Sequence, residues 1–307
     1  MHCRTLIGAL VTSLLMGGCA ALDQQQRAPL FQPGDHHWRH ARLEGMQERW
    51  IDYECPDTGQ PVQLHGLWLE GPHPQAPVML YLHGARWNVS GSTVRMHRLR
   101  ELGFAVLNID YRGFGKTRPH HLPSEASARA DALAAWSWLR QQYPHRPRFV
   151  FGHSLGGAIA VDLAMRVDDE AGVMVENTFT STREAARQFP WGWLPIGPFI
   201  TQKFDSVRKV AHIGSPLLVA HGSEDAIIPS KLGAQLFEAA QQPKAWVLVP
   251  GANHHTTSAQ GLAAYRQALQ QLMPAYRHAT APSAAPAPLQ RTQVTWQGTY
   301  PASITSP

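Results

Sequence analysis

Short apolar runs alternate with longer helical patterns through the middle of the chain. Runs of four to six mostly aliphatic residues, each bounded by turn-forming residues, predict buried strands; they lie at 78–82, 105–109, 148–151, 172–176, 216–220 and 245–249. Two earlier segments, 49–54 and 62–69, alternate apolar and polar residues and predict an antiparallel pair. Helical patterns occupy 92–103, 124–142, 154–167, 230–241 and 257–273. The alternation predicts an α/β fold, in which helices flank a mostly parallel, eight-stranded sheet.

One long segment, from 178 to about 215, interrupts this rhythm because it contains no strand pattern. It includes ARQFPWGWLPIGPFI, whose aromatic residues and prolines are incompatible with a long regular helix. Loops of this length inside a compact domain usually have a function. Since the segment follows the sixth predicted strand, we expect a small cap over one end of the sheet, with Trp191 and Trp193 facing a substrate.

The composition is that of an ordinary globular protein, and it excludes one class of partner. The chain has 307 residues, of which 44% are hydrophobic and 16% charged, with a formal net charge of +5. The basic residues are scattered, and neither a concentrated basic patch nor a nucleic-acid-binding motif is present. We therefore expect a small-molecule substrate and no nucleic acid.

Both ends of the chain differ from the predicted domain. Arg4 and the apolar run Leu6–Met16 are typical of a signal peptide, which we place at 1–18. The following Gly17-Gly18-Cys19 resembles the lipobox of bacterial lipoproteins, which predicts lipidation of Cys19, anchoring to the outer membrane and a periplasmic location. Ordinary cleavage of the signal peptide, without a lipid, is the alternative. We expect a tether over 19–45, the folded domain over 46–278, and a disordered tail over the Pro- and Ala-rich residues 279–307.

The clearest candidate chemistry lies in FVFGHSLGG, residues 149–157. Ser154 follows a predicted strand directly and precedes a predicted helix, as in the strained turn that exposes a nucleophilic serine. Such a serine needs a base, which is itself held by an acid. Asp225 and His254 each follow a late predicted strand, and they come in the required order. Their neighbours Glu224 and His255 are alternatives, because only one member of each adjacent pair can serve.

Seven motifs resemble the α/β-hydrolase superfamily, in particular its bud-emergence-protein-like, lysophospholipase-like and serine-aminopeptidase-like members. They are LYLHG, DYRGFGKT, GHSLGG, ENTFTS, KFDS, HGSEDAIIP and PGANH, and they occur in this order between residues 80 and 254. The resemblance implies a Ser-His-Asp triad of Ser154, His254 and Asp225.

Acyl transfer also requires hydrogen-bond donors for the oxyanion. The backbone N–H of Leu155 is one candidate, and the loop after strand 78–82 supplies the other, with Ala85 preferred to Arg86. This loop reads HGARWN, which departs from the sequence common among its relatives. We expect Arg86 and Trp87 to shape the substrate pocket.

Together these features predict a serine hydrolase that cleaves carboxylic esters and needs no cofactor or metal. Thioesters and lysophospholipids are close variants of this substrate class, and an aminopeptidase-like activity is an alternative. A non-catalytic binding lipoprotein with the same fold is a further alternative from a different class.

Overall fold

In the computed structural model, residues 20–36, 38, 41–190 and 192–280 are described. Eight strands form one sheet in the order β1-β2-β4-β3-β5-β6-β7-β8. Strand β2 pairs antiparallel with β1 and β4, whereas every other pairing in the sheet is parallel. Within the described ranges, no helix combines the length and apolar character needed to cross a bilayer.

The strands lie close to the predicted positions. They are β1 Met46–Glu54, β2 Pro61–Leu69, β3 Val78–Leu82, β4 Ala105–Ile109, β5 Arg148–His153, β6 Gly172–Glu176, β7 Leu217–Gly222 and β8 Lys244–Val249. The helices are α1 at 20–31, α2 Thr93–Glu101, α3 Glu125–Gln142, α4 Leu155–Ala164, α5 Thr182–Ala186, α6 Ser206–Lys209, α7 Ser230–Ala239, α8 Thr257–Gln260, α9 Leu262–Leu272 and α10 Pro274–Thr280. The predicted α/β fold is confirmed.

Strand β3 is apolar and buried along its whole length because both faces of the sheet are covered there. Along β3, Val78, Leu80 and Leu82 belong to one apolar cluster, and Met79 and Tyr81 belong to another. Successive strand residues point to opposite faces, so this alternation divides the core into two layers. Helices α3 and α4 contribute to the first layer, and α2 and α9 contribute to the second.

The segment predicted as a cap has no strand among its described residues. It contains α5 and α6 together with single 3₁₀ turns at Gly197–Phe199 and Val210–His212. It leaves β6 at its carboxyl end, where the parallel strands of an open sheet build their functional sites.

Three segments differ from the sequence-based expectation. The pattern at 257–273 is two helices separated by Gly261, where a β-carbon would lie 2.7 Å from a methyl group of Val249. The last described helix continues to Thr280, beyond the predicted end of the domain, and residues 281–307 of the predicted tail lie outside the described residues. In the predicted tether, residues 20–31 form helix α1, and its last residue, Phe31, is fully buried.

Candidate active site

Ser154 occupies the sharp turn between β5 and α4. Its backbone has φ 56° and ψ −123°, a conformation that residues with a β-carbon rarely adopt. Such a conformation costs about 1–3 kcal/mol and persists only where its surroundings enforce it. The turn therefore holds the serine at the carboxyl edge of the sheet, as the sequence predicts for an exposed nucleophile.

Glycines around the turn allow the strand and helix to approach closely. A β-carbon at Gly152 would lie 2.3 Å from the carbonyl oxygen of Gly156, and one at Gly156 would lie 2.0 Å from that of Leu82. Any side chain at either position would push α4 away from the sheet. On the neighbouring loop, a β-carbon at Gly84 would lie 3.0 Å from the β-carbon of Ser154. The loop after β3 is thus in contact with the turn.

Two hydrogen bonds fix the Ser154 peptide groups to the segment that follows β6. The Ser154 N–H donates to the Glu176 carbonyl at 2.9 Å, and Thr178 Oγ1 donates to the Ser154 carbonyl at 2.8 Å. Both bonds satisfy backbone groups of the turn and so help to stabilise its strained conformation.

Ser154, His254 and Asp225 form a continuous chain of hydrogen bonds. Ser154 Oγ lies 3.0 Å from His254 Nε2, and His254 Nδ1 lies 2.7 Å from Asp225 Oδ2. His254 and Asp225 are buried, whereas the neighbouring Glu224 and His255 are exposed. The structure therefore brings together the preferred member of each adjacent pair. With a proton on its Nδ1, such a histidine can accept the serine proton at Nε2.

The surroundings of Asp225 favour its ionised form. Its Oδ1 accepts the backbone N–H groups of Ile227 at 2.9 Å and Ile228 at 2.8 Å. Burial by itself would raise the pKa of Asp225, but hydrogen bonds from His221 and His254, the charge of His254 and the Ile228 N–H together lower it below its ordinary value. The carboxylate is thus a stable acceptor for the His254 ring.

His153 and Asn177 hold the backbone of His254, a role that the sequence did not reveal. Burial lowers the pKa of His153 well below its ordinary value, and Arg95 and His254 add to the effect, so its ring is neutral. His153 Nε2 donates to the His254 carbonyl at 2.9 Å, and Asn177 Nδ2 donates to the same oxygen at 3.0 Å. The only advance signal for Asn177 was its place in the ENTFTS motif.

A buried ion pair lies beside these residues. Arg95 Nη2 is 3.0 Å from Glu176 Oε1, and the Tyr265 hydroxyl donates to Glu176 Oε2 at 2.7 Å. Glu176 also contributes the carbonyl that binds the Ser154 N–H. This pair therefore connects α2 and α9 to the strand end from which the serine turn is held.

The backbone N–H groups of Ala85 and Leu155, the two preferred oxyanion donors, differ from that of Arg86 in their hydrogen bonding. Neither the Ala85 nor the Leu155 N–H donates a hydrogen bond to any described residue. Leu155 is the first residue of α4, where backbone N–H groups have no partner within the helix. By contrast, the Arg86 N–H donates to the Phe31 carbonyl at 2.8 Å. The N–H of Arg86, the second choice from the sequence, therefore already has a hydrogen-bond partner in this structure.

Of the residues expected to shape the substrate pocket, the structure describes Arg86, Trp87 and Trp193. Arg86 is exposed, and its guanidinium binds the Gln32 side chain at 3.1 and 3.2 Å. Trp87 stacks on Trp38 with 4.7 Å between the ring centroids, and Trp193 is 80% exposed on the cap. Trp191 and Cys19 lie outside the described residues. Across the described ranges, no group of three or more His, Cys, Asp or Glu side chains could hold a metal ion.

Comparisons with known proteins agree with this fold. Residues 72–196 match the family model described as serine aminopeptidase, S33. An uncharacterized protein of Mycobacterium tuberculosis is 36% identical over 83% of this chain and 89% of its own length. The Pyrococcus furiosus esterase Pf2001 superposes with a TM-score of 0.62, covering 78% of this chain and 99% of the esterase at 18% identity. The chain belongs to the α/β-hydrolase family.

A second relative of this α/β-hydrolase has a named activity. The zebrafish (Danio rerio) protein named lysophosphatidylserine lipase ABHD12 is 33% identical over 186 residues. The match covers 55% of the α/β-hydrolase chain and 48% of the lipase. The chain thus spans about half the length of the curated lipase that it matches.

The lowered pKa of Asp225 predicts a specific dependence of stability on pH. In the unfolded chain an aspartate takes up its proton near pH 4, whereas in the folded protein Asp225 does so at lower pH. Its ionised form therefore stabilises the fold above about pH 4, and this contribution is lost as the pH falls below that value. We expect the free energy of unfolding of Asp225→Asn, measured by urea denaturation, to fall less between pH 6 and pH 3 than that of the wild type.

The exposed neighbour Glu224 supplies the matched control. Glu224→Gln should retain the wild-type pH dependence, since the Glu224 side chain is exposed and takes no part in the hydrogen-bond chain from Ser154 to Asp225. Identical slopes for the wild type and Asp225→Asn would contradict the prediction.

Proposed function

We propose that this α/β-hydrolase is a serine hydrolase that cleaves carboxylic esters through an acyl-enzyme intermediate. The observation that carries the proposal is the hydrogen-bond chain from Ser154 Oγ through the His254 ring to Asp225, with distances of 3.0 and 2.7 Å. The strained turn that presents Ser154 supports it further, because strain of this kind is concentrated at functional sites.

In the first half of the proposed reaction, Ser154 Oγ attacks the ester carbonyl carbon while His254 Nε2 takes the hydroxyl proton. Asp225 holds the Nδ1–H tautomer of His254 and stabilises the positive charge that forms on the ring. When the tetrahedral intermediate collapses, the bond to the alcohol oxygen breaks. The leaving alcohol receives the proton from His254, and the acyl group remains on Ser154.

The negative charge on the tetrahedral oxygen would be stabilised by the N–H groups of Ala85 and Leu155. Both lack a partner among the described residues, and Leu155 lies at the N-terminus of α4, where the helix dipole favours negative charge. Preorganised donors of this kind are each worth about 3 kcal/mol in transition-state stabilisation.

The second half of the reaction repeats the first with water in place of the alcohol. His254 takes a proton from the water, the resulting oxygen nucleophile attacks the acyl carbon, and the bond to Ser154 breaks as His254 returns the proton to the serine. Every group required is provided by the chain or by solvent, so the proposed reaction uses no cofactor.

Esters with an apolar chain are the substrate class that we favour. The cap exposes Trp193, Leu194 and Phe199, with exposed fractions of 80, 39 and 62%. These side chains provide apolar surface that a lipid chain could cover, and a relative is named for lipase activity on a lysophospholipid. Thioesters would follow the same chemistry. Peptide substrates are the second candidate, since the matching family model is described as a serine aminopeptidase.

An active-site probe tests the proposed nucleophile and base. We expect a fluorophosphonate to label the wild type and to leave Ser154→Ala unlabelled, because the hydroxyl that forms the covalent bond is gone. Labelling of His254→Ala should be slowed by at least about 10³-fold, given the losses that accompany removal of a triad base. His255→Ala is the matched control, and its labelling rate should stay within about twofold of the wild type.

Each other outcome of this experiment has a definite meaning. Undiminished labelling of Ser154→Ala would place the nucleophile elsewhere. A wild type that remains unlabelled would support the non-catalytic binding protein instead. Loss of labelling in His255→Ala but not in His254→Ala would reverse the choice of base.

A substrate panel tests the preferred chemical class. We expect p-nitrophenyl esters to be hydrolysed faster than aminoacyl p-nitroanilides, and kcat/KM to rise from acetyl to longer acyl chains as more apolar surface is buried on the cap. Each added methylene that becomes fully buried contributes about 0.8 kcal/mol, or roughly a fourfold increase. Faster turnover of the anilides would overturn the esterase proposal in favour of a peptidase.

We also propose that Cys19 carries a lipid and anchors the protein in the outer membrane, facing the periplasm. The support is the sequence pattern around Cys19 alone. In a Gram-negative host, radiolabelled palmitate should enter the wild type and Cys55→Ala, and should not enter Cys19→Ala. Cys55 is the matched control because its thiol is buried in the core. Absence of label from the wild type would contradict the anchor.

A further inference from the structure

The segment that follows α1 crosses two loops at the carboxyl edge of the sheet. We call residues 31–36 the strap. Three of its main-chain carbonyl groups accept hydrogen bonds, at Phe31 from the Arg86 N–H (2.8 Å), at Gly34 from the Gly115 N–H (3.1 Å) and at His36 from Asn88 Nδ2 (2.9 Å). The strap is therefore bound to the loops that follow β3 and β4.

Arg86 makes three hydrogen bonds to the strap. This residue has φ 69°, in the left-handed region that residues with a β-carbon usually avoid. Its N–H binds the Phe31 carbonyl, and its guanidinium binds Gln32 Oε1 through Nε at 3.2 Å and Nη2 at 3.1 Å. Both the backbone and the side chain of Arg86 are thus held by consecutive strap residues.

Arg86 immediately follows Ala85, whose N–H is one of the proposed oxyanion donors. Gly84, which precedes Ala85, is packed against Ser154. A β-carbon at Gly84 would lie 3.0 Å from the β-carbon of Ser154. Further along the loop, Asp110 accepts the Val89 N–H at 2.8 Å. The hydrogen bonds from the strap hold the loop after β3 at Arg86, the residue next to the proposed donor Ala85.

The strap is itself fixed to the body of the protein. Phe31 is fully buried and packs edge-on against Phe204, with 5.8 Å between the ring centroids. One turn earlier in α1, Gln26 Nε2 donates to the Phe199 carbonyl at 2.7 Å, and Gln26 Oε1 accepts the Thr201 N–H at 3.0 Å. The strap therefore begins from a rigid support.

We propose that the strap is a positioning element of the active site, in which the Phe31 carbonyl and the Gln32 side chain hold Arg86 so that the Ala85 N–H points at the oxyanion. The proposal rests on the proposed hydrolase function. Oxyanion stabilisation requires the donor to be held about 2.7–3.1 Å from the place where charge develops. A loop that moves before each turnover loses part of this benefit, and the strap restricts that movement.

The central experiment separates transition-state stabilisation from substrate binding. Gln32→Ala removes the acceptor for the Arg86 guanidinium but leaves the main chain of the strap in place. We expect kcat for a p-nitrophenyl ester to fall about tenfold with KM within twofold of the wild type. Complete removal of an oxyanion donor lowers kcat about 10²–10³-fold. A donor that is only displaced should lower kcat by less.

Three further variants distinguish positioning from a general effect on the fold. Gln32→Glu keeps an acceptor oxygen for Arg86 and should restore kcat to within about twofold of the wild type. Gln25→Ala changes an exposed glutamine of α1 for which no side-chain hydrogen bond occurs among the described residues, and it should leave both constants unchanged. The double variant Gln32→Ala/Arg86→Ala should lose no more kcat than Gln32→Ala, since both changes remove the same contact.

Active-site titration with a fluorophosphonate makes each result interpretable. If Gln32→Ala has fewer active sites but an unchanged kcat per site, the strap is only a structural support and the proposal is wrong. An unchanged kcat per site at full occupancy overturns it equally, as does failure of Gln32→Glu to restore activity. A wild type that neither reacts with the probe nor hydrolyses esters would instead contradict the proposed function.

Discussion

The close approach of β5 and α4 is the constraint on which the candidate site depends. With glycine at 152 and 156, the first turn of α4 lies against the ends of β3 and β5, and the residue between strand and helix is forced into a positive φ. The cost of about 1–3 kcal/mol at Ser154 is offset by this packing and by the bonds to Glu176 and Thr178. The serine is therefore exposed by the geometry of the core.

The histidine depends on a different kind of support, because it lies on a loop. Two neutral donors, His153 Nε2 and Asn177 Nδ2, converge on one carbonyl oxygen of His254, while Asp225 binds its ring. The adjacent Arg95–Glu176 pair is buried. Buried ion pairs of this type contribute little net stability compared with apolar packing. This one links α2 to the strand end whose carbonyl binds the Ser154 N–H.

The sequence predicted those features that have a periodic or ordered signature. Strands β3 to β8 could be located because buried parallel strands form short apolar runs, and β1 and β2 because apolar and polar residues alternate along them. Ser154, Asp225 and His254 could be selected because each follows a strand in a fixed order along the chain. Helix α1 was missed because DQQQRAP, residues 23–29, contains few apolar residues, and the burial of Phe31 depends on Phe204, far away in the chain. The position of Asn177 was equally hidden, since its φ of 51° arises from tertiary contacts.

The strap could not be predicted from sequence for a further reason. Its contacts use main-chain carbonyl groups, which every residue possesses, so no residue type marks them. The N–H of Arg86, the runner-up oxyanion donor, makes one such contact, with the Phe31 carbonyl. Residue patterns therefore selected the candidate site residues, whereas the backbone interactions that position them became apparent only in three dimensions.

The docking of α1 changes what a lipid on Cys19 would do to the enzyme. A flexible tether over 19–45 would let the domain move about 30 Å from its point of attachment. Instead, residues 20–31 are helical, and this helix is bound to the cap through Gln26 and to the loop after β3 through the strap. If Cys19 carries the proposed lipid, its point of attachment would be separated by one peptide bond from a helix docked on the domain, and the domain would reach fewer orientations on the bilayer than a free tether allows.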